Sequence, residues 1–284
     1  MTEHLVAAIQ FAAGTDVKTN LEIVGTLVAK AVDRGAGLVV LPENLAFMGY
    51  HDSDKFQYAE VEGNGPIQDF LADLASTKGV WLIGGTIPIH SSPGKVRASS
   101  LVYDDSGVCM GRYDKIHLFD VDVPGSKEQY RESATIDAGD TPLVIDSPFG
   151  KLGVTVCYDL RFPELYRQLV DAGVEILAVP AAFTAKTGAA HWELLLRARA
   201  VENLAYVVAA GQAGVHQNGR ETYGNSMIVD PWGTVVARLG TEPGVVVGQI
   251  DLESQKHYRE VFPVLTHRRL ELPSVLKPMP SIRL

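Results

Sequence analysis

Cys157 is the residue of this chain with the most chemistry to offer. It stands in the stretch Gly150-Lys-Leu-Gly-Val-Thr-Val-Cys157-Tyr-Asp-Leu-Arg-Phe-Pro-Glu-Leu165. Lys151 to Val156 reads as a short β-branched strand. Phe162 to Ala172 reads as a helix, with Phe162, Leu165, Leu169 and Val170 on one face and Pro163 near its start. A strand-to-helix turn exposes the side chain it carries, and a helix N-terminus offers unpaired N–H groups and the positive end of its dipole. Both features favour thiolate over thiol, whose ordinary pKa is ~8.5. The same place also suits a small buried hydrophobe, since free cysteine is among the most buried residue types.

Two more reactive residues share that local context. Glu43 follows the apolar run Leu38–Leu41, and Lys115 follows the strand candidate Val108–Tyr113. In sheets covered by helices, ligands sit beyond strand ends, where loops converge. A carboxylate, an ammonium and a thiol gathered there form a working set. Glu43 can accept the thiol proton and later hand a proton to a leaving amine. Lys115 can stabilise the oxyanion of a tetrahedral intermediate and hold Glu43 ionised, with the backbone N–H of Tyr158 as the second oxyanion donor. Taken singly, Glu43 reads as well as a solvated strand-end acid, Lys115 as a surface base and Cys157 as core. A Cys–His hydrolase would instead need His117 or His191 beside Cys157. His117 shares a face with Lys115 in an extended segment, and His191 opens a predicted helix.

The elements that must carry these residues alternate between strand and helix. Strands are predicted at Leu5–Phe11, Leu38–Leu41, Val80–Ile87, Glu175–Val179, Ala205–Ala210 and Val245–Ile250. Helices are predicted at Val17–Arg34, Pro66–Thr77 and His191–Asn203. Hairpins are expected around Asp104–Gly107, between Pro142–Asp146 and Lys151–Val156, and around Asp230-Pro-Trp-Gly233. The stretch from Asp114 to about Thr141 and the loop Gly211–Thr222 read as irregular, and segments that long are usually functional or mobile. After the last strand, Val245–Ile250, the end of the chain, rich in Pro, Arg and Leu, reads as extended and irregular. No repeat, linker or low-complexity segment interrupts it. About a dozen strands is many for one open sheet; two packed sheets with helices on their outer faces accommodate them in a single α/β domain over residues 1–284, with 273–284 as an irregular tail.

Composition narrows the function. The chain has 284 residues, 46% hydrophobic and 21% charged, and a net charge of −9. That balance argues against nucleic-acid and anionic-membrane partners. The two cysteines, Cys109 and Cys157, give neither a disulfide framework nor zinc spacing, which points to a reducing cytoplasm. No apolar run approaches the ~20 residues of a membrane span, and the first residues lack the pattern of a signal peptide.

The motifs resemble those of the nitrilase superfamily of carbon–nitrogen hydrolases. Leu41-Pro-Glu43-Asn, Asp114-Lys115-Ile-His-Leu-Phe-Asp120 and Val156-Cys157-Tyr-Asp-Leu-Arg-Phe-Pro-Glu-Leu165 carry the likeness. Pro180-Ala-Ala-Phe183 through Glu193 and Tyr223-Gly-Asn through Gly233 extend it, so that it runs from about Leu5 to Leu272. The resemblance implies a four-layer αββα sandwich, dimers or higher homo-oligomers, and Glu–Lys–Cys amidase chemistry through a thioester, with no metal and no cofactor. It is most similar to the branch that hydrolyses the amide of deaminated glutathione, and next to ω-amidase; a nitrilase would use the same residues. Cys157 through Leu165 and Arg220-Glu-Thr-Tyr-Gly are the branch-like features, while Asn225 stands where relatives often carry His. The family's second glutamate maps to Glu132 in Tyr130-Arg-Glu132-Ser, with Glu128 as the alternative. For a substrate bearing a carboxylate away from its amide, Arg161 is the expected anchor, because guanidinium pairs a carboxylate bidentately. The resemblance adds Phe183 and Thr187, placed in the loop after Val179; Phe47 and Tyr50 are further lining candidates. Two non-amidase readings remain: a binding protein on the same fold, and a redox thiol using Cys109.

Overall fold

In the computed structural model, residues 3–125, 127–270 and 281–282 are described. In chain order the elements are β1 (Glu3–Gln10), α1 (Val17–Asp33), β2 (Leu38–Val40), α2 (Pro66–Lys78), β3 (Trp81–Ile83), β4 (Ile87–His90), β5 (Val96–Tyr103), β6 (Cys109–Asp114), β7 (Asp120–Asp122) and β8 (Gln129–Arg131). There follow β9 (Leu143–Ser147), β10 (Gly150–Val154), α3 (Pro163–Asp171), β11 (Ile176–Ala181), α4 (Ala185–Asn203), β12 (Tyr206–Gly211), β13 (Ala213–Val215), β14 (Glu221–Tyr223), β15 (Met227–Val229), β16 (Val235–Arg238), β17 (Gly244–Asp251), α5 (Leu252–Val261) and β18 (Ser281–Ile282).

The strands build two seven-stranded sheets. One runs β17-β1-β2-β3-β5-β4 with β6 also on β5; the other runs β16-β15-β12-β11-β10-β9-β18. Period-two alternation decides what each residue touches. In β1 and β2, Val6, Ala8, Leu38 and Val40 face the second sheet, in one core with Leu152, Val154, Ile176 and Val208. Their neighbours Ala7, Ile9, Val39 and Leu41 pack under α1 and α2, against Val24, Val28, Ile67 and Leu71. On the far side, α3 and α4 cover the second sheet with Leu165, Leu169, Trp192 and Leu196. Sheet face to sheet face, with helices outside both, is the four-layer αββα sandwich.

Local chemistry explains the element ends. Asp16 caps α1 by accepting the Thr19 N–H at 2.8 Å, and Gly79 closes α2 in the left-handed region at φ 58°. Several expectations need correction. Val80–Ile87 is two strands, because the chain turns at Gly84-Gly85-Thr86. Gly85 has φ +54°, and a Cβ there would lie 2.1 Å from the Pro42 carbonyl oxygen, so only glycine lets the turn lie against the loop that holds Glu43. Gly211–Thr222 is not a plain loop but contains the antiparallel pair β13–β14. After Ile250, where sequence reading assigns no element, the structure has the helix α5, capped by Asp251. The tail 273–284 lies outside the described residues except for Ser281 and Ile282, which run parallel to β9 at Val144 and Ile145. Among the described residues no helix is long and apolar enough to cross a membrane.

Candidate active site

Cys157 sits at the C-terminal end of β10, but the helix does not begin there. A 3₁₀ segment, Cys157–Arg161, intervenes, and α3 starts at Pro163. Cys157 itself adopts φ +51°, a left-handed conformation that costs an ordinary residue roughly 1–2 kcal/mol. Asp159 holds that turn. Its carboxylate is fully buried and accepts the Val156 N–H at 2.8 Å, the Tyr113 hydroxyl at 2.7 Å and the His117 N–H at 3.0 Å; His117 Nδ1 lies at 2.7 Å. One carboxylate thereby clamps the nucleophile turn to both flanks of Lys115.

Lys115 is among the most deeply buried large side chains, 1% exposed. Its Nζ donates to Glu43 Oε1 at 2.8 Å and lies 2.9 Å from both oxygens of Glu132. Glu132 also accepts the Phe119 N–H at 2.7 Å. Glu128 instead takes a hydrogen bond from the Tyr130 hydroxyl. Burial alone would discharge Lys115, but Glu132, Glu43 and the Cys157 sulfur together hold its pKa well above the usual lysine value. Burial likewise works against the Glu132 anion, yet the Lys115 ammonium and the Phe119 N–H keep its pKa below the ordinary range. Glu43 is fixed through its backbone, where the buried Gln212 amide donates to the Glu43 carbonyl at 3.0 Å and the Asn44 N–H bonds Thr86 Oγ1 at 2.8 Å.

The expectation of a favoured thiolate is overturned. Burial raises the Cys157 pKa well above its ordinary value, and the Glu43 charge and hydrogen bond raise it further. Lys115 and the Ala182 backbone N–H oppose this only in part. Burial and the neighbouring Glu43 carboxylate thus both favour the thiol over the thiolate.

Glu43, Lys115, Glu132, Cys157, Tyr158, Arg161, Phe183 and Thr187 all line one small cavity, so the structure brings these eight nominated residues together. Arg161 approaches the Tyr158 and Phe183 rings at 5.9 and 5.5 Å and lies 3.2 Å from His191 Nδ1. Thr187 is not in a loop. It stands in the first turn of α4, whose cap is Thr184, so His191 lies within the helix rather than opening it. His117 stacks on Phe162 at 3.7 Å and is held by Asp159; His191 is held by Arg161. Phe47 and Tyr50 line the adjoining outer cleft. Among the described residues, no group of three or more His, Cys, Asp or Glu side chains is placed to hold a metal ion.

Sequence reading misses Asn44, Phe119, Ala182 and Arg220, which line the same cavity. Arg220 donates Nη2 to the Ala182 carbonyl at 2.7 Å and stacks over Tyr130, while its buried Nε has no partner. In the sequence its motif serves only as a mark of the branch. Asp159 is missed as well, since its burial and its partners are visible only in the folded chain.

The sequence pattern of the carbon–nitrogen hydrolases matches residues 5–260. The chain belongs to the carbon–nitrogen hydrolase family. It is 41% identical to a deaminated glutathione amidase of Synechocystis sp. over 94% of this chain and 99% of that one. It is 38% identical to omega-amidase NIT2-A of Xenopus laevis, covering 97% and 98% of the two chains. The crystal structure of Saccharomyces cerevisiae Nit3, a member of branch 10 of the nitrilase superfamily, superimposes with a TM-score of 0.83 at 32% identity, covering 92% of this chain and 94% of that one. The protein is therefore an amide-hydrolysing enzyme, acting on carbon–nitrogen bonds other than peptide bonds.

Proposed function

We propose that the protein hydrolyses a small, carboxylate-bearing amide of the deaminated glutathione type, with Cys157 as nucleophile. The observation that carries this reading is the Lys115 ammonium bonded to both Glu43 and Glu132 at the floor of the cavity that holds Cys157. As Sγ attacks the carbonyl carbon, Glu43 takes the thiol proton, as a buried thiol requires. The oxyanion is met by Lys115 and by the Tyr158 N–H, at the start of the 3₁₀ segment where such groups lie outside the helical ladder. Glu132 keeps Lys115 charged and aimed. Collapse of the intermediate breaks the carbon–nitrogen bond, Glu43 passes its proton to the nitrogen, and a thioester remains on Cys157. Glu43 then deprotonates water, hydroxide adds to the thioester, and the acid leaves as the sulfur regains its proton. Arg161, between Phe183 and Thr187, anchors the carboxylate of the acyl part.

Likeness to the Xenopus omega-amidase supports a second reading, α-ketoglutaramate-type substrates that release ammonia; action on nitriles is a lesser variant, and a binding protein without activity is the alternative from another class. With this activity goes one catalytic domain, working in the cytoplasm as a homodimer or larger homo-oligomer. Mass spectrometry after mixing with candidate amides tests the reading: an acyl adduct on Cys157 is expected, together with release of amine or ammonia. Hydrolysis of the preferred amide by Cys157→Ala at the wild-type rate would refute the nucleophile.

A further inference from the structure

Arg161 is a cation that the fold leaves uncompensated. Two other arginines of the same helical layer are paired, Arg167 with Glu202 at 3.7 Å and Arg199 with Glu202 at 2.8 Å. Among the described residues no acid pairs with Arg161, and Glu164 nearby in the chain is exposed. What holds the Arg161 guanidinium is uncharged. The Tyr158 and Phe183 rings approach it at 5.9 and 5.5 Å, and its Nη2 lies 3.2 Å from His191 Nδ1. A guanidinium has donors and no acceptor. Nδ1 therefore accepts, which assigns the imidazole as the neutral tautomer with its proton on Nε2.

Helix α4 fixes that imidazole. His191 stands one turn past Thr187, so the two share a helix face, and Thr187 lines the cavity. The next residue, Trp192, is buried, donates Nε1 to the Asn225 carbonyl at 2.8 Å and packs on Phe183 with ring centroids 5.0 Å apart. Further along the same helix, Arg199 donates Nε and Nη2 to the Leu160 carbonyl at 3.1 and 2.8 Å. One helix thus grips the Cys157–Arg161 segment both by its backbone and by its last side chain. An acid in the place of His191 would aim the guanidinium equally well. It would also neutralise it, and a substrate carboxylate would meet a like charge there. A neutral acceptor fixes the fork and leaves its charge and its remaining N–H donors to an incoming anion.

We propose that His191 is the positioning residue for Arg161, a neutral imidazole that aims the guanidinium without neutralising it and so sets the preference for an acyl group ending in a carboxylate. This rests on the amidase reading above, in which Arg161 anchors that carboxylate. The test uses two primary amides of equal length: the half-amide of glutaric acid, and its uncharged twin, in which a methyl ketone replaces the carboxylate. The quantity read is the ratio of kcat/KM on the acid amide to kcat/KM on the twin. Asn and Asp both place an oxygen where Nδ1 stands, and they differ in charge. His191→Asn should therefore keep the ratio near its wild-type value. His191→Asp should lower it roughly 10–100-fold, the contribution of one hydrogen bond to a charged group, mainly by raising KM for the acid amide. His191→Leu, which leaves the guanidinium without its acceptor, should lower it roughly tenfold. Both rates come from one preparation, so the fraction of a variant that folds cancels in the ratio. A purely structural role would lower kcat on both twins alike and leave the ratio where it was. A ratio unmoved in either the Asp or the Leu variant, or an Asn variant that falls as far as the Leu variant, overturns the inference. Arg161→Gln separates the two readings. If it removes the preference while the His191 variants do not, the anchor stands and this inference fails; if it leaves the ratio unmoved, the anchor is wrong and the inference falls with it. A wild-type enzyme that hydrolyses neither amide defeats both.

Discussion

Replacing Asp159 with Asn keeps its size and removes its charge at the point where the nucleophile turn meets the lysine arm. Oδ2 accepts from the Val156 N–H and the Tyr113 hydroxyl, and Oδ1 from the His117 N–H with the imidazole beside it. Whichever way an amide sits, its NH₂ opposes a backbone N–H. One orphaned buried donor costs about 1–3 kcal/mol, and the surviving bonds drop from charged to neutral strength, roughly 1 kcal/mol each. The sum is about 2–5 kcal/mol out of the ~5–15 kcal/mol that stabilise a typical domain. The turn holding Cys157 at φ +51° would relax, and a misplacement of about 1 Å near a reacting group can lower the rate ~100-fold. Urea denaturation should show a lower midpoint with an unchanged slope, and kcat should fall. Tyr113→Phe is the control: it removes one donor and leaves the carboxylate three partners, a loss of about 0.5–1.5 kcal/mol. If Asp159→Asn matched the wild type in both midpoint and kcat, the clamp assigned to this carboxylate would be wrong.

Other expectations follow from the buried charges. Lys115→Met leaves Glu43 and Glu132 without a counter-charge, which should cost about 3–5 kcal/mol in stability and abolish turnover; adding Glu132→Gln should restore part of the stability in denaturant and none of the activity. Glu43 holds the Cys157 thiol pKa up, so Glu43→Gln should shift the pH profile of Cys157 alkylation to lower pH while amide hydrolysis is lost; an unmoved profile would contradict the assigned contact. The folded-state pKa of Glu132 lies below its ordinary 4.5, so its contribution to stability is present above about that pH and is lost as pH falls through the folded value. In acid titrations of stability Glu132→Gln should flatten the slope below pH ~4.5 and leave the slope near neutrality unchanged.

Strands and helices whose signal is local were legible in the chain. The helix Val17–Arg34, the continuous apolar run Leu38–Leu41, the Asp104–Gly107 turn and Pro163 near the start of α3 each depend on signals within one element. Elements that depend on distant partners were not. Thr184 to Ala190 lacks an apolar stripe, yet it is the start of α4 because Thr184 caps it and Gly188 lets Tyr223 approach. Val80–Ile87 looks like one strand until the Pro42 carbonyl forces Gly85 to turn.

The site divides along the same line. Residue type and strand-end position nominated Glu43, Lys115 and Cys157, guanidinium chemistry nominated Arg161, and motif resemblance added Glu132, Phe183 and Thr187. Their meeting in one cavity depends on two sheets packing face to face, a contact between residues far apart in the chain that no local pattern encodes. The same packing decided the protonation of the thiol. A helix dipole reasoned from sequence favours thiolate, but in the folded protein Cys157 opens a short 3₁₀ turn under a desolvating wall with a carboxylate beside it, and burial with a like charge outweighs the dipole. Asp159 and the site role of Arg220 emerged only there too, since a buried acid and a half-buried base declare themselves through what surrounds them.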